Sequence, residues 1–267
     1  MTSSQMGIDF SFDNRVAGQY NAQRAYPPGV ADEIGAAIAA QAGAGARILE
    51  VGVGTGRIAH PVIAAGCRVT GIDISPDMLG EVFTAVSTTP ALSLAQADMH
   101  RLPFRARSFD AVLTVHVLHL ATDWQQVITE IARMLRPGGA FIQGDDWMDP
   151  ASVVGQLRDE LRRAAVAYSP QLRPPAAGNS REQALAAVGG TAVHTAVAAE
   201  WTTWISPNER LAAIENRMDA ESWFLPDALF TRLLAHLRAF AAQTWPDLDE
   251  KQPVTRRFVM KVIRGAW

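Results

Sequence analysis

Three glycines at alternate positions form the most informative motif of the chain. Gly52, Gly54 and Gly56 follow an apolar segment at 47–51 and open a helical pattern at 56–65. Such a turn lets a ligand press against bare backbone, because a Cβ there would collide with it. The N-terminus of the helix adds unpaired N–H groups that can meet polar ligand atoms. The pattern therefore predicts a nucleoside-type cofactor near the turn.

The spacing of the glycines discriminates between cofactors. A dinucleotide turn reads G-x-G-x-x-G, and its third glycine admits a pyrophosphate, whereas Arg57 occupies that position here. With Glu50 the pattern is E-x-G-x-G-x-G, which resembles the first motif of class I S-adenosylmethionine (SAM)-dependent methyltransferases. The resemblance implies that Glu50 anchors the loop and the methionine amino group. It also implies that the backbone at Gly52, Gly54 and Gly56 contacts the methionine part of SAM.

Two further acidic residues stand at predicted strand ends. Asp73 lies about twenty residues past the glycines. A carboxylate there can accept hydrogen bonds from both ribose hydroxyls, each worth roughly 1.5–3 kcal/mol. The resembled family has its ribose-binding acid here, which places Ile74 against adenine. Residues 97–104 resemble the family's A-D-x-x-x-L-P-F segment. That likeness implies that Asp98 accepts from the adenine amine and that the Met99 backbone reads the ring.

Candidates for handling a methyl acceptor follow the fourth and fifth strands. Val115 ends the fourth strand and is expected at the cofactor, and His116 and His119 follow it. An imidazole with a pKa of about 6.5 is suited to general base catalysis, although a pocket wall or a hydrogen-bonded helix cap is the favoured interpretation for each histidine. Asp145 and Asp146 follow the fifth strand and are candidates to contact the acceptor, to orient an amine or to act as a base. Catechol-type methyltransferases hold magnesium with an acid after strand four; this chain has His there, so no metal is expected.

The segment before residue 27 carries a third set of candidates. Residues 20–26 resemble the family's Y-x-x-x-R-x-Y lead-in, which folds over the cofactor mouth. The resemblance implies that Tyr20 closes the site and acts in catalysis, and that Arg24 or Tyr26 meets the SAM carboxylate. Packing on the edge of the sheet is the alternative.

Short strands alternate with helices along the first half of the chain, which favours a parallel sheet with helices on both faces. Strands are predicted at 46–51, 67–73, 91–96, 109–115, 140–144, 191–204 and 254–263. Helices are predicted at 29–41, 56–65, 76–86, 123–135, 153–168, 181–188, from 206 onward, and at 226–244, with a stop and turn at 136–139. The expected fold is a doubly wound, Rossmann-like α/β sheet of seven strands. The resemblance makes the last strand antiparallel.

The pattern divides the chain into four parts. We expect an N-terminal arm and helix over the cofactor site (1–45), followed by a SAM-binding α/β core (46–149). A helical substrate cap (150–190) and the rest of the core with additional helices (191–267) are expected after it. Trp147 and Trp223 are the best candidates for an aromatic-lined substrate pocket.

Composition limits the function further. The 267 residues are 48% apolar with a net charge of −3, so neither nucleic acid nor an acidic membrane is an expected partner. The single cysteine, Cys67, starts an apolar strand and is expected in the core. The first ten residues lack a signal-peptide pattern, and no run of 18 apolar residues occurs, so a cytoplasmic protein is expected.

The sequence thus predicts a SAM-dependent enzyme that methylates carbon, oxygen or nitrogen of a small molecule. The absence of an Asn/Asp-Pro-Pro-Tyr signature after the fourth strand argues against methylation of bases. Two alternatives stay open, an NAD(P)-dependent oxidoreductase and a SAM-binding protein without turnover. A homodimer also stays open.

Overall fold

The structure is a computed structural model that describes residues 25–85, 89–170, 186–218, 222 and 225–267. Some predictions concern residues outside these ranges and are not tested: those for Tyr20, Arg24, Trp223 and most of the helix expected at 181–188. The strands are β1 (Arg47–Val51), β2 (Arg68–Asp73), β3 (Leu92–Gln96), β4 (Phe109–Val115), β5 (Leu135–Met148), β6 (Gly190–Ile205) and β7 (Gln252–Gly265). The helices are α1 (Val30–Ala42), α2 (Ala59–Ala64), α3 (Pro76–Ala85), α4 (Trp124–Met134), α5 (Val153–Tyr168), α6 (Pro207–Glu215) and α7 (Asp227–Thr244), with a short 3₁₀ turn at Leu118–Leu120.

The strands form one mixed sheet in the order β3-β2-β1-β4-β5-β7-β6. Strands β1 to β5 pair in parallel, and the last strand, β7, is antiparallel, which confirms the expected fold class. The chain runs outward from β1 to β3 and then returns to place β4 on the other side of β1. Ligands bind beyond the carboxyl ends of the strands at such a reversal, so the loops after β1 and β4 are where a site is expected.

A tightly packed core supports these loops. One face of α4 is buried against the sheet, and Asp123 caps this helix by accepting from Gln126 N at 3.0 Å. The buried apolar side chains between this helix and the sheet form one cluster, which comprises Leu49, Val51, Ile72, Leu102, Phe109, Val112, Leu118, Val127, Ile128, Ile131, Met134, Leu135, Phe141 and Ile263. Cys67 is buried, as expected. The strand ends that carry polar side chains are therefore anchored by fully buried neighbours.

Two predicted boundaries are wrong, and a glycine in the left-handed region lies at each of them. The helix expected from residue 56 begins only at Ala59, because Gly56 has φ +81° and cannot be helical. The turn expected at 136–139 is instead an irregularity inside a continuous β5. Leu135 pairs with Phe109 and Ala140 pairs with Ala111, so extra residues bulge around Gly138 at φ +76°.

The described residues fall into two compact units. One contains β1 to β4, most of β5, and the parts of β6 and β7 at 190–200 and 257–265. The other contains α5, α6 and α7, whose apolar faces form a separate cluster that includes Leu157, Leu161, Ile214, Leu233 and Leu237. The capping box predicted at the start of α6 is present, since Ser206 Oγ accepts from Glu209 N at 3.1 Å. Within the part of the chain that is described, no helix combines the length and apolar character needed to cross a bilayer.

Candidate active site

The glycine turn after β1 has all three glycines in the left-handed region. Their φ angles are +73° at Gly52, +55° at Gly54 and +81° at Gly56. A Cβ at Gly52 would lie 2.5 Å from Val117 Cγ2, and one at Gly56 would lie 2.7 Å from His60 Nε2. A Cβ at Gly54 would meet nothing within 4 Å. Packing therefore explains the outer two glycines, whereas Gly54 is half-buried and has open space beside it as far as the described residues show.

Asp73 is held directly beside this turn. Its Oδ2 accepts from Gly54 N at 2.9 Å, and its Oδ1 accepts from Ser75 N at 2.9 Å. Ser75 Oγ caps α3 by accepting from Met78 N, so Asp73 is not needed as the cap. An ionised carboxylate has about four acceptor sites, and two backbone bonds leave capacity for further donors. Next to it, Ile74 is 66% exposed and offers an apolar surface at the end of β2.

Glu50 is the most unusual carboxyl group of the site. It is 2% exposed, and its Oε2 has no hydrogen-bond partner among the described residues. Burial raises the pKa of Glu50 to about 8, the Arg57 charge opposes this, and Asp73 adds to it. Leaving a buried carboxyl oxygen unpaired is costly. A cationic ligand group would satisfy it, so the residue fits the ammonium end of a methionine-type cofactor.

The loop after β3 holds Asp98 through a neighbouring histidine. Asp98 Oδ1 accepts from His100 N at 2.9 Å and lies 2.7 Å from His100 Nδ1. The bond from His100 N is the main reason that the pKa of Asp98 falls below its usual value. His100 Nε2 accepts from Asp123 N at 3.3 Å, so the ring links this loop to the start of α4. Met99 packs its side chain against the sheet core, and Val115 is half-buried at the end of β4.

Asp146 is the centre of a second polar cluster, after β5. Its Oδ1 accepts from the Tyr26 hydroxyl at 2.9 Å, and its Oδ2 lies 3.4 Å from the Arg57 guanidinium and 3.0 Å from His116 Nε2. Arg57 also stacks over the Tyr26 ring, 4.5 Å from its centroid. Tyr26 in turn packs edge-on against Phe258. Four segments distant in sequence thereby meet at one carboxylate.

The charge state of this cluster follows from its partners. Burial by itself raises the pKa of Asp146, but the bond to His116 and the Arg57 charge outweigh it and hold the pKa well below its usual range. Burial raises the pKa of Tyr26, so its hydroxyl remains a donor. Asp146 is therefore an ionised, firmly held acceptor.

A small polar concavity lies beside this cluster. It is lined by Thr114, His116, Val117, Leu118, His119, Gln143 and Asp145. Asp145 is 53% exposed, accepts from Gln143 Nε2 at 3.2 Å and lies 3.9 Å from His116 Nδ1. Thr114 Oγ1 is buried with no partner among the described residues. The predicted acceptor-handling residues His116, His119 and Asp145 are thus brought together.

The sequence interpretation missed the parts that Asp146, Arg57 and Tyr26 play together. Alternation along β5 contained a signal, since Gly144 is buried and Asp145 is exposed, so Asp146 must face inward again. No local pattern pointed to Arg57, whose contact spans 89 residues. The expectation that Tyr26 meets the SAM carboxylate stays a prediction, and its hydroxyl is bonded to Asp146. The cofactor roles of Glu50, Gly54, Asp73 and the other candidates also stay predictions.

Comparison with known proteins finds similarity to methyltransferases. The methyltransferase domain family matches residues 49–143. An uncharacterized methyltransferase of Mycobacterium tuberculosis is 34% identical over 159 residues, 60% of this chain and 60% of that protein. A demethylmenaquinone methyltransferase of Tropheryma whipplei is 39% identical over 101 residues, 37% of this chain and 41% of that protein. Phosphoethanolamine N-methyltransferase 2 of Haemonchus contortus, solved with SAM, superposes with a TM-score of 0.58 at 17% identity, covering 97% of this chain and 59% of that one.

The sheet order and the glycine turn define a Rossmann-like methyltransferase fold. The family match to residues 49–143 and the similar methyltransferases support a class I SAM-dependent methyltransferase domain, and SAM is the cofactor of this class. This chain spans about 60% of the length of the mycobacterial relative it matches. The comparisons therefore support methyl transfer with SAM, and the acceptor is a separate question.

Proposed function

We propose that this protein transfers the methyl group of SAM to a small-molecule acceptor. The observation that carries the proposal is the half-buried left-handed backbone at Gly54, with Asp73 bonded to it and, among the described residues, open space where a Cβ would point. Oε2 of Glu50 supports it independently, because it has no hydrogen-bond partner among the described residues and a buried carboxyl group of this kind calls for a cationic partner.

The chain supplies binding and orientation in this proposal. Glu50 contacts the amino group of SAM, and the turn at 52–56 contacts its methionine part. Asp73 accepts hydrogen bonds from the ribose hydroxyls. Ile74, Asp98, Met99 and Val115 form the adenine side. SAM supplies a methyl group on a sulfonium that is already activated, so the protein contributes mainly position and a dry pocket. No metal ion is required.

The acceptor is proposed to be small. The similar proteins include a demethylmenaquinone methyltransferase and a phosphoethanolamine N-methyltransferase, so their names agree on methyl transfer and differ in the acceptor. The concavity lined by His116, His119 and Asp145 is polar and suits a compact polar group. We propose that the helical unit of α5, α6 and α7 acts as the substrate cap. A cytoplasmic location and a homodimer remain expectations from the sequence.

The test is a transfer assay with methyl-labelled SAM. The purified protein is incubated with pooled phenols, quinols, amines and carbon acids, and the products are separated by mass. Label transfer that depends on the protein and is blocked by S-adenosylhomocysteine is the expected result. Oxidation of the same pools with NAD(P) instead of methylation would contradict the proposal.

A further inference from the structure

His116 has a backbone conformation that residues other than glycine rarely adopt. It lies one residue beyond β4 with φ +51°. A non-glycine residue in the left-handed region carries strain, and such strain concentrates at functional sites when the surroundings hold it in place. The contacts of the imidazole with Asp146 provide that restraint.

The imidazole has two different edges. Nε2 lies 3.0 Å from Asp146 Oδ2, inside the cluster with Tyr26 and Arg57. Nδ1 lies 3.9 Å from Asp145 Oδ1. Asp145 lines the polar concavity and Asp146 does not, so the Nδ1 edge is the one beside the concavity.

The position of the proton on the ring is decided by charge. Nε2 lies near two groups of Asp146, the Oδ2 atom at 3.0 Å and the backbone N–H at 3.2 Å. One nitrogen cannot donate to the first and accept from the second. A bond to an ionised carboxylate is roughly twice as strong as a neutral one, and the opposite tautomer would set two lone pairs against each other. The proton therefore belongs on Nε2.

Asp146 is unsuited to take a proton itself. The Tyr26 hydroxyl, the Arg57 guanidinium and the His116 ring all contact its two oxygens. Its side chain is 21% exposed, compared with 53% for Asp145. Three donor groups on one shielded carboxylate fix its orientation and keep it ionised.

We propose that Asp146 is a positioning residue that keeps the His116 proton on Nε2, so that Nδ1 is the base for an acceptor with a dissociable proton. The inference rests on the proposed methyl transfer and narrows the acceptor to a hydroxyl or an acidic C–H group. A neutral amine already has its nucleophilic lone pair and needs no such base.

The step balances within this arrangement. The acceptor O–H or C–H bond breaks, its proton passes to Nδ1 of His116, and the freed electron pair forms the new bond to carbon. The carbon–sulfur bond of the donor breaks, and sulfur keeps that electron pair. The imidazolium then lies between Asp146 at Nε2 and Asp145 at Nδ1. Two carboxylates stabilise the charge that the proton brings.

The first test reads the tautomer without any turnover. The protein is labelled with ¹⁵N-histidine, and two-bond ¹⁵N–¹H spectra are recorded at a pH where the rings are neutral. Loss of one signal in His116→Gln assigns the ring among the six histidines. We expect a pyrrole-type shift at Nε2 and a pyridine-type shift at Nδ1 in the wild type. The opposite pattern would overturn the proposal.

Two matched carboxylate variants separate positioning from general structure. Asp146→Asn should move part of the His116 population to the Nδ1–H tautomer, whereas Asp145→Asn should leave the proton on Nε2. An unchanged tautomer in Asp146→Asn, with the protein folded by circular dichroism, would remove Asp146 from this role.

The second test uses binding and turnover together. Calorimetry with S-adenosylhomocysteine should give the same affinity in the wild type and in His116→Gln. With an O–H or C–H acceptor from the transfer assay, His116→Gln should lower kcat by about 10²–10⁴-fold, the usual contribution of a general base. Wild-type kcat in that variant overturns this inference alone. Failure of the wild type to bind the product cofactor overturns the proposed function and leaves the tautomer result standing.

Discussion

Glu50 shows how one buried side chain links the cofactor to pH. The carboxyl group is almost wholly shielded, one of its oxygens has no hydrogen-bond partner in the part of the chain that the structure describes, and its pKa is raised to about 8. It is therefore largely neutral near pH 7. A cationic amino group brought next to it would favour the ionised form, lower the pKa and expel the proton.

Proton release on binding is the measurable consequence. At about pH 6.5, below the raised pKa, SAM binding should release close to one proton per site because Glu50 becomes ionised. Calorimetry in two buffers of different ionisation enthalpy measures this number. Glu50→Gln should bind SAM without the release. Equal release in the wild type and the variant would assign the proton to another group.

The affinity for SAM should depend on the carboxylate of Asp73. Removing its carboxylate deletes charge-assisted bonds, each worth roughly 1.5–3 kcal/mol. Asp73→Ala should therefore weaken SAM binding by at least about tenfold, since 1.4 kcal/mol is a factor of ten. Equilibrium dialysis measures the affinity, with Asp32→Ala as a control because Asp32 is an exposed carboxylate in the first turn of α1. Wild-type affinity in Asp73→Ala would count against the ribose assignment.

The individual site residues differ in how far the sequence could place them. Glu50 and Asp73 follow short strands at spacings that resemble a known motif, so local sequence located them. The Asp146 cluster could not be located in this way. Its partners Arg57 and Tyr26 lie 89 and 120 residues away, and nothing in the local pattern encodes that meeting.

Among the elements, the turn between β1 and α2 decides whether a cofactor can approach. Gly54 and Gly66 both have positive φ, at +55° and +91°, and a Cβ at either would meet nothing within 4 Å. Both alanine variants should lose about 1–2 kcal/mol of stability from left-handed strain. The two positions differ in place, because Gly66 lies before β2 and away from the proposed cofactor turn.

This pair yields a matched experiment. Gly54→Ala should weaken SAM binding at least about tenfold, 1.4 kcal/mol in free energy, because its Cβ enters the ligand space. Gly66→Ala should bind SAM with wild-type affinity despite a similar loss of stability. Urea unfolding and calorimetry measure the two properties. Equal affinity in both variants would show that the turn does not contact the ligand.

Strand and helix positions were largely predictable, and β5 is an exception that depends on long-range pairing. β4 and α5 have the predicted bounds, because apolar runs and clear caps define them. The bulge in β5 was predicted as a turn, since Pro137 and Gly138 are typical turn residues. Only pairing with β4 shows that the strand continues through them.

At the scale of the whole molecule, the two units have separate apolar cores. The unit that contains β1 to β4, the sheet unit, buries one cluster around α4. The unit of α5, α6 and α7, the helical unit, buries another that includes Leu233 on α7. All the proposed cofactor contacts lie in the sheet unit. The helical unit is therefore expected to matter for the acceptor and not for SAM.

Truncation of a core side chain tests this division. Leu233 is 0% exposed, so Leu233→Ala should cost about 2–5 kcal/mol of unfolding free energy. Leu234→Ala is the control and should cost less, because Leu234 is only half-buried. SAM affinity should stay near the wild-type value in both. Loss of SAM binding in Leu233→Ala alone would show that the helical unit takes part in holding the cofactor.

The central claim is that the turn after β1 and the carboxylates of Glu50 and Asp73 bind an adenosyl sulfonium compound. Titration of the wild-type protein with SAM and, separately, with NADH in a calorimeter tests it most directly. We expect saturable binding of SAM at one site per chain and no binding of NADH. Saturable binding of NADH with no heat from SAM would contradict it.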